Sequence, residues 1–418
     1  MVAVSVPAES RAAPDVPPAD AGHLLRPGTL RLPALPPLAL YVHVPWCLRK
    51  CPYCDFNSHE PAGGAQAIPE AAYLAALRAD LESALPLVWG RPVHSVFIGG
   101  GTPSLISAAG IGRLLSDVRA LLPLAPDCEV TLEANPGSVE ASRFADFRGA
   151  GVTRLSIGVQ SFDDAQLLRL GRIHDRAQAL AAIEVARRCF DTFNLDLMYA
   201  LPEQTLEQAE ADLELALALE PPHLSLYQLS IEPNTVFAKR PPPLPDDDTA
   251  AAIQERIETR AAAAGYRHYE VSAYARPGHA CRHNLNYWHF GDYLGIGAGA
   301  HSKLSFPQRI VRQVRLRQPA SYLEQAARGR FASESVEVAR ADLPFEFMLN
   351  ALRLNDGFAR ALFSERTGLP PSAIEPALER AEARGLLECS LERIAPTALG
   401  RRFLSDLQSL FLPDRPAV

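Results

Sequence analysis

From Leu38 onward, short apolar runs alternate with longer stretches whose apolar residues recur at helical spacing. The runs Leu38–Val44, Ser95–Ile98, Glu129–Glu133, Arg154–Gln160, Phe193–Met198 and His223–Leu229 are rich in Val, Ile, Leu and Tyr and have the length of buried parallel strands. Between them, Pro69–Leu85, Ile106–Leu122, Val139–Ala150, Arg176–Cys189 and Thr205–Leu219 carry helical patterns, with Ser138 and Thr205 placed as N-caps. Six β/α units in succession predict a parallel α/β architecture. A doubly wound sheet is the plain reading. An open (β/α)6 relative of the eightfold barrel is favoured, because the unusual residues fall just after strand after strand, at the edge where barrel sites assemble.

After Glu232 the alternation stops. Pro241-Pro-Pro-Leu-Pro245 followed by Asp246-Asp-Asp248 reads as a linker ending in a helix cap. Residues 246–330 predict a helix, a short strand around Tyr269–Tyr274 and a Gly-rich run, Leu294–Gly299. From about Asp342 to Phe411 the pattern predicts a small helical module. Its segment Arg384–Leu387, Leu391–Arg393 and Pro396–Gly400 could form the helix and hairpin of a winged helix. The expected organisation is therefore an arm over 1–37, a barrel over 38–240, an accessory α/β segment over 241–335 and a C-terminal module over 336–418. The arm is Pro-rich and reads as disordered.

Composition narrows the function classes. The 418 residues carry a formal net charge of -7 with no basic block, so a nucleic-acid partner is not indicated. Seven cysteines, four of them scattered (Cys128, Cys189, Cys281, Cys389), do not make a disulfide framework and point to a reducing compartment. No window reaches the roughly 18 consecutive apolar residues of a membrane span. The N-terminal stretch lacks an apolar core and contains Glu9, Asp15 and Asp20, unlike a signal or transit peptide. A cytoplasmic protein is expected.

The remaining three cysteines, Cys47, Cys51 and Cys54, stand at C-x3-C-x2-C spacing directly after the first predicted strand. Three thiolates without a fourth nearby can hold three irons of a cubane cluster and leave one iron open to a ligand. Zinc prefers four ligands in paired sets, and the flanking His43 and His59 do not complete such a pattern. Buried structural thiols are the bland alternative.

This loop, with Tyr53 before the third cysteine, resembles that of the radical S-adenosylmethionine (SAM) superfamily. The resemblance implies a [4Fe-4S] cluster whose open iron chelates the amino and carboxylate groups of SAM, and electron transfer that cleaves SAM to methionine and a 5'-deoxyadenosyl radical. An electron donor for the cluster is then a partner. By the same resemblance Gly99-Gly-Gly-Thr-Pro-Ser104 looks like the motif that meets the SAM amino group, through Gly100, Gly101 and Thr102. Glu133 would face the ribose or the cationic portion. Tyr41, Gln160, Arg172 and Asp196 would complete the pocket, with Arg172 suited to a carboxylate. Taken singly, each of these polar residues is more often structural, as a cap or a paired group, than functional.

Together the segments resemble the coproporphyrinogen III dehydrogenase group, over roughly Leu38 to Phe411. Two features separate its branches. The dehydrogenases carry a fourth cysteine two residues after the third, where this chain has Phe56. His283-Asn-Leu-Asn-Tyr-Trp288 matches H-N-x-x-Y-W, associated with the haem-chaperone, or HemW, branch. That branch implies haem as cargo, passed to haem-accepting proteins. His283 is the candidate axial ligand, Cys281 its rival, and His279, His289 and His301 lie nearby. A buried turn satisfied by His283 and Asn284 is the structural alternative. Met198 and Met348 read as core. The competing function is the oxygen-independent dehydrogenase itself, which turns two propionates into vinyl groups. A zinc-stapled interaction module is a third. A haem donor of this kind could visit the membrane face to reach respiratory proteins, although no amphipathic basic helix demands it. A homodimer is left open.

Overall fold

The computed structural model describes residues 28–137 and 141–413. The expected cap Ser138 and the arm up to residue 27 lie outside the described residues.

Six parallel strands form the centre: β1 (Leu38–Val44), β2 (Val93–Gly100), β3 (Leu124–Ala134), β4 (Arg154–Gln160), β5 (Thr192–Tyr199) and β6 (His223–Gln228). They lie side by side in chain order. The helices between them are α1 (Glu70–Val88), α2 (Ala108–Leu121), α3 (Phe144–Ala150), α4 (Asp164–Arg169), α5 (Arg176–Cys189) and α6 (Leu206–Ala218). Right-handed crossovers between strands in unbroken order place every helix on the same face. A doubly wound sheet would need the order to reverse, and it does not.

The strands alternate with period two. On the face toward the helices, Val42, Ile98, Leu132, Leu155, Leu195 and Leu224 join helix residues such as Leu77, Leu115, Ile183 and Leu213 in one core. The concave face carries Tyr41, Phe97, Glu133, Ser156, Asn194 and His223 at the intervening positions. Local caps set the helices: Thr205 and Asp175 each form a capping box, with Gln208 and Gln178. Ser107 caps α2, so that helix starts later than the expected Ile106.

Residues 241–335, expected as an accessory segment, complete this sheet at both edges and share its core. The helix α7 (Val236–Lys239) precedes the proline linker, and α8 (Asp247–Ala263) follows it with Asp246 as cap. The expected strand at Tyr269–Tyr274 is a hairpin, β7 (Arg267–Glu270) and β8 (Ala273–Ala275), beside β6. After α9 (Arg282–Trp288), strand β9 (Asp292–Ile296) lies parallel to β1. It is followed by β10 (His301–Phe306), β11 (Arg309–Arg315), α10 (Pro319–Ala326) and β12 (Ala332–Glu337). The twelve-stranded sheet runs from β12 to β7 and stays open. Buried ion pairs hold the added strands: Asp292 with Lys303 at 2.8 Å, and Asp80 of α1 with Arg315 at 2.9 Å.

A second core gathers the C-terminal module with Leu30, Phe290 and Ile310. Its helices include α11 (Leu343–Ala351), α12 (Ala361–Thr367) and α13 (Glu375–Ala383), and Met348 is fully buried there. The expected hairpin is present as Leu387–Cys389 paired with Arg393–Pro396, joined by Phe358–Ala359 in a three-stranded sheet. Residues 28–37, expected as part of the arm, dock on the β10–β11 turn: Leu30 and Leu32 donate their backbone N–H to Gln308 and Pro307.

Candidate functional site

The cysteine loop leaves β1 and is held on both sides. Cys47 N–H donates to the His59 carbonyl at 3.0 Å, and Phe237 N–H of α7 donates to the Pro52 carbonyl at 3.0 Å. His43 and His59, the flanking histidines, bond Asn57 at 2.9 and 3.3 Å. All three cysteines are free and partly exposed. Burial pushes the Cys54 thiol up to about 11, with the other two sulfurs adding to the effect, and raises Cys47 as well. A metal must therefore supply the charge that makes them thiolates. Among the described residues no three His, Cys, Asp or Glu side chains close on one ion. Thiolates that each bind a separate iron of a cluster need no such convergence.

The turn Gly99–Ser104 packs against this loop from β2. Gly101 and Thr102 donate their N–H to the carbonyls of Val44 and Trp46, at 2.7 Å each. A Cβ on Gly101 would stand 2.5 Å from the Trp46 carbonyl oxygen, and Gly100 has φ 116°. Gly101 thus admits the cluster loop's own backbone, and Gly100 makes room for the His43 ring, where a Cβ would stand 2.5 Å from Cε1. Gly100 N–H donates to Glu133 at 3.0 Å.

Arg172 is placed by the end of α4, where Gly171 takes φ 70°. Its Nη2 donates to Asn135 Oδ1 at 2.6 Å and to the Gly158 carbonyl at 2.7 Å, and its Nη1 faces Cys51 Sγ at 3.7 Å. Burial alone would lower its pKa, but Tyr53 and Cys51 beside it hold it above the ordinary value. Asn135 donates to Thr102 Oγ1 at 3.1 Å, and Thr102 donates to Cys47 Sγ at 3.5 Å. Two of the three sulfurs thus meet donors, Thr102 from the end of β2 and Arg172 from the end of α4. Tyr53 packs on Phe237 with ring centroids 6.4 Å apart. Gln160 sits at φ 69°, uncommon for a residue with a side chain, where the ladder between β4 and β5 shifts register.

Deeper on the concave face stand two carboxyls. Burial, with Asp196 nearby, pushes Glu133 up to about 8. Asp196 is also raised by burial, against hydrogen bonds from Asn194 at 2.8 Å and Ser156 at 3.0 Å. Neither makes an ion pair among the described residues. Two acids without a cation suit a positively charged ligand. Tyr41 bonds His43 Nδ1 at 3.0 Å and stacks on Phe97.

The H-N-x-x-Y-W segment is α9, and it closes the lower end of the concave face. His283 is 1 % exposed, bonded through Nδ1 to Ser95 Oγ at 3.0 Å and stacked on Phe97 at 4.9 Å. Burial pushes its pKa down to about 3, and Nε2 has no hydrogen-bond partner. Cys281 is buried against Glu129, 3.7 Å away. His279 contacts Thr192, His289 bonds the Leu285 carbonyl, and His301 opens β10 with its residue exposed. Trp288 lies under Arg353 at 4.3 Å. Phe56 is exposed at the end of the cysteine loop.

Residues 41–216 match the radical SAM superfamily and residues 338–403 the HemN C-terminal domain. The chain is 50 % identical over 382 residues to heme chaperone HemW of Escherichia coli (strain K12), covering 91 % of this chain and 99 % of that protein. It belongs to the HemW family of radical SAM proteins. It is also 39 % identical over 330 residues to a mitochondrial radical S-adenosyl methionine domain-containing protein 1 of Bos taurus, covering 76 % of this chain and 74 % of that one. The coproporphyrinogen III oxidase HemN of Escherichia coli, a radical SAM enzyme, superposes with a TM-score of 0.76 at 25 % identity, covering 90 % of each chain.

The cofactors of a radical SAM protein are a [4Fe-4S] cluster and SAM. The donor set fits both: three thiols without disulfides, and two acids without a cation. For this HemW family member the sequence pattern does not mark Asn135, Ser156 or Asn194. Asn135 follows β3 in the run Glu133-Ala-Asn135, and the other two sit at the period-two positions of β4 and β5 that the apolar runs concealed.

Proposed function

We propose that this protein binds haem and passes it to haem-accepting proteins, while holding a [4Fe-4S] cluster and SAM at the strand ends. The relationship to HemW over nearly the whole of both chains carries the reading. Cys47, Cys51 and Cys54 hold the cluster. Tyr41, Tyr53, Gly100, Gly101, Thr102, Gln160 and Arg172 line or brace the pocket, and Glu133 and Asp196 face the cationic ligand. When bound, the cluster and SAM supply one-electron chemistry, with a separate protein as electron donor. The cytoplasm suits seven free thiols, and no helix among the described residues is long and apolar enough to cross a membrane. His283 remains the candidate axial ligand. Ser95 fixes Nδ1 and leaves a neutral, unpartnered Nε2 as the ligating atom. Because the ring is buried, α9 must lift for haem to reach it.

Soret titration of the anaerobically reconstituted chain, followed by transfer to haem-free acceptor, tests the reading. One haem bound per chain and passed on is expected. Incubation with coproporphyrinogen III, SAM and a reductant is the counter-test, and decarboxylation at enzyme-like rates would replace this reading with the dehydrogenase one. Phe56 in place of a fourth cysteine favours the haem carrier.

A further inference from the structure

A line of buried side chains joins the acid pocket to the floor of the concave face. Ionised, Asp196 can only accept hydrogen bonds, and it takes them from Ser156 Oγ and Asn194 Nδ2. Asn194 Nδ2 also donates to Ser156 Oγ at 2.7 Å. With its nitrogen committed there, Asn194 turns Oδ1 the other way and accepts from His223 Nδ1 at 2.7 Å and Ser225 Oγ at 3.0 Å. His223, protonated on Nδ1, offers Nε2 to the Tyr269 hydroxyl at 2.8 Å. The Tyr269 oxygen accepts the Cys281 N–H at 3.2 Å. Cys281 is the residue that opens α9. Asn194, His223, Tyr269 and Cys281 are all buried, so no solvent competes along the line.

The acid end can set the direction of every bond. A neutral Asp196 can donate to Asn194 Oδ1, which turns the amide over. His223 then accepts at Nδ1 and donates from Nε2. Tyr269 would receive both that proton and the Cys281 N–H, and its own O–H would need a new acceptor in a buried place. The line therefore has two arrangements, and they differ at the first residue of α9.

We propose that Asn194, His223 and Tyr269 are positioning residues that couple ligand occupancy at Asp196 to the seating of α9, the helix that carries His283. A cation held at Asp196 keeps the carboxyl ionised and the line in the direction that grips Cys281. An empty pocket loosens that grip. Glu129 makes a second tether, accepting Arg282 N–H at 3.0 Å from outside the line. The inference rests on reading the strand-end pocket as the SAM site and makes no use of haem.

The test is hydrogen exchange over residues 281–288 in the reconstituted full chain, with and without SAM. SAM is expected to slow exchange there by about fivefold or more, the lower end of ordinary coupling between sites. Tyr269→Phe, which removes one hydroxyl and keeps the ring, and His223→Leu are both expected to erase that difference while SAM still binds. Glu129→Gln is expected to speed exchange in both states and to preserve the ratio. An undiminished SAM effect in Tyr269→Phe overturns the proposal, as does no effect in the unaltered chain with SAM bound. Failure to bind SAM removes the pocket reading and this inference with it. A SAM effect in a chain that takes up no haem would leave the coupling standing and refute only the haem reading.

Discussion

The two faces of strands β1 to β6 have opposite chemistry, alternating residue by residue along the same chain. Toward the helices, Leu155, Ile157, Leu195 and Leu224 are fully buried among aliphatic neighbours. One position along, Ser156, Asn194, Asp196 and His223 bond one another across three strands. The first face stabilises by removing apolar area from water, roughly 25 cal/mol per Å2. The second gives little net stability, because each polar pair repays its own desolvation. It instead fixes directions, tautomers and charge at chosen points. The helical face makes the fold and tolerates shape-conserving exchange, whereas the concave face makes the site and tolerates little.

The sharpest way to break that contrast is to exchange neighbours on one strand. Leu195→Ala is expected to cost about 2–5 kcal/mol, as core truncations do, read as a fall in urea midpoint. SAM affinity in the surviving folded fraction should be unchanged. Asp196→Asn, one residue along, is expected to leave the midpoint unchanged or raised. It should weaken SAM by about tenfold or more, on the order of 1.4 kcal/mol. If Asp196→Asn unfolds the chain as readily as Leu195→Ala, the two faces do not divide the work this way.

The helical face was legible in the sequence because apolar content is a local signal. The bounds of β1 and β4 agree with the apolar runs that predicted them, and Thr205 caps α6 as its spacing requires. The concave face was partly legible: Glu133 and Gln160 stand at strand ends and Asp196 on β5, as the pattern expects, but Asn135, Ser156 and Asn194 acquire meaning only from neighbours 33 to 40 residues away. The strands β9 to β12 were missed for a related reason. Arg309, Arg315 and Lys303 break the apolar pattern, yet they are buried because Asp80, Glu337 and Asp292 pair with them. The burial of His283 was equally hidden, since its covering ring, Phe97, comes from a strand far back in the chain.

A smaller effect separates the faces by pH. In the ligand-free chain Glu133 is raised from an ordinary value of 4.5 to about 8, by burial first and by Asp196 second. A raised folded-state pKa means that the neutral form is the one the fold prefers. Its contribution to stability is complete below about pH 4.5 and is lost as pH rises through about 8. The urea midpoint of the ligand-free chain should therefore fall between pH 6 and pH 9, and Glu133→Gln should flatten that fall. SAM should oppose it, since its positive charge favours the ionised carboxyl. A midpoint that rises over this range in the unaltered chain would contradict the assignment of Glu133 as a carboxyl held without a cation.

The smallest expected effect lies wholly on the helical side. Thr205 accepts the Gln208 N–H at 3.3 Å, while Gln208 Oε1 accepts the Thr205 N–H at 3.0 Å, so two groups at the start of α6 are satisfied reciprocally. Thr205→Ala removes one of these bonds and is expected to cost about 1 kcal/mol. Helix α6 follows β5, the strand that carries Asn194 and Asp196, and the cap lies only six residues beyond that strand's end. If the helical face serves only the fold, urea midpoints should register the change and SAM titrations should not. A loss of SAM affinity comparable to that of Asp196→Asn would show that the end of β5 is held in place by its helix, and that the two faces are mechanically one.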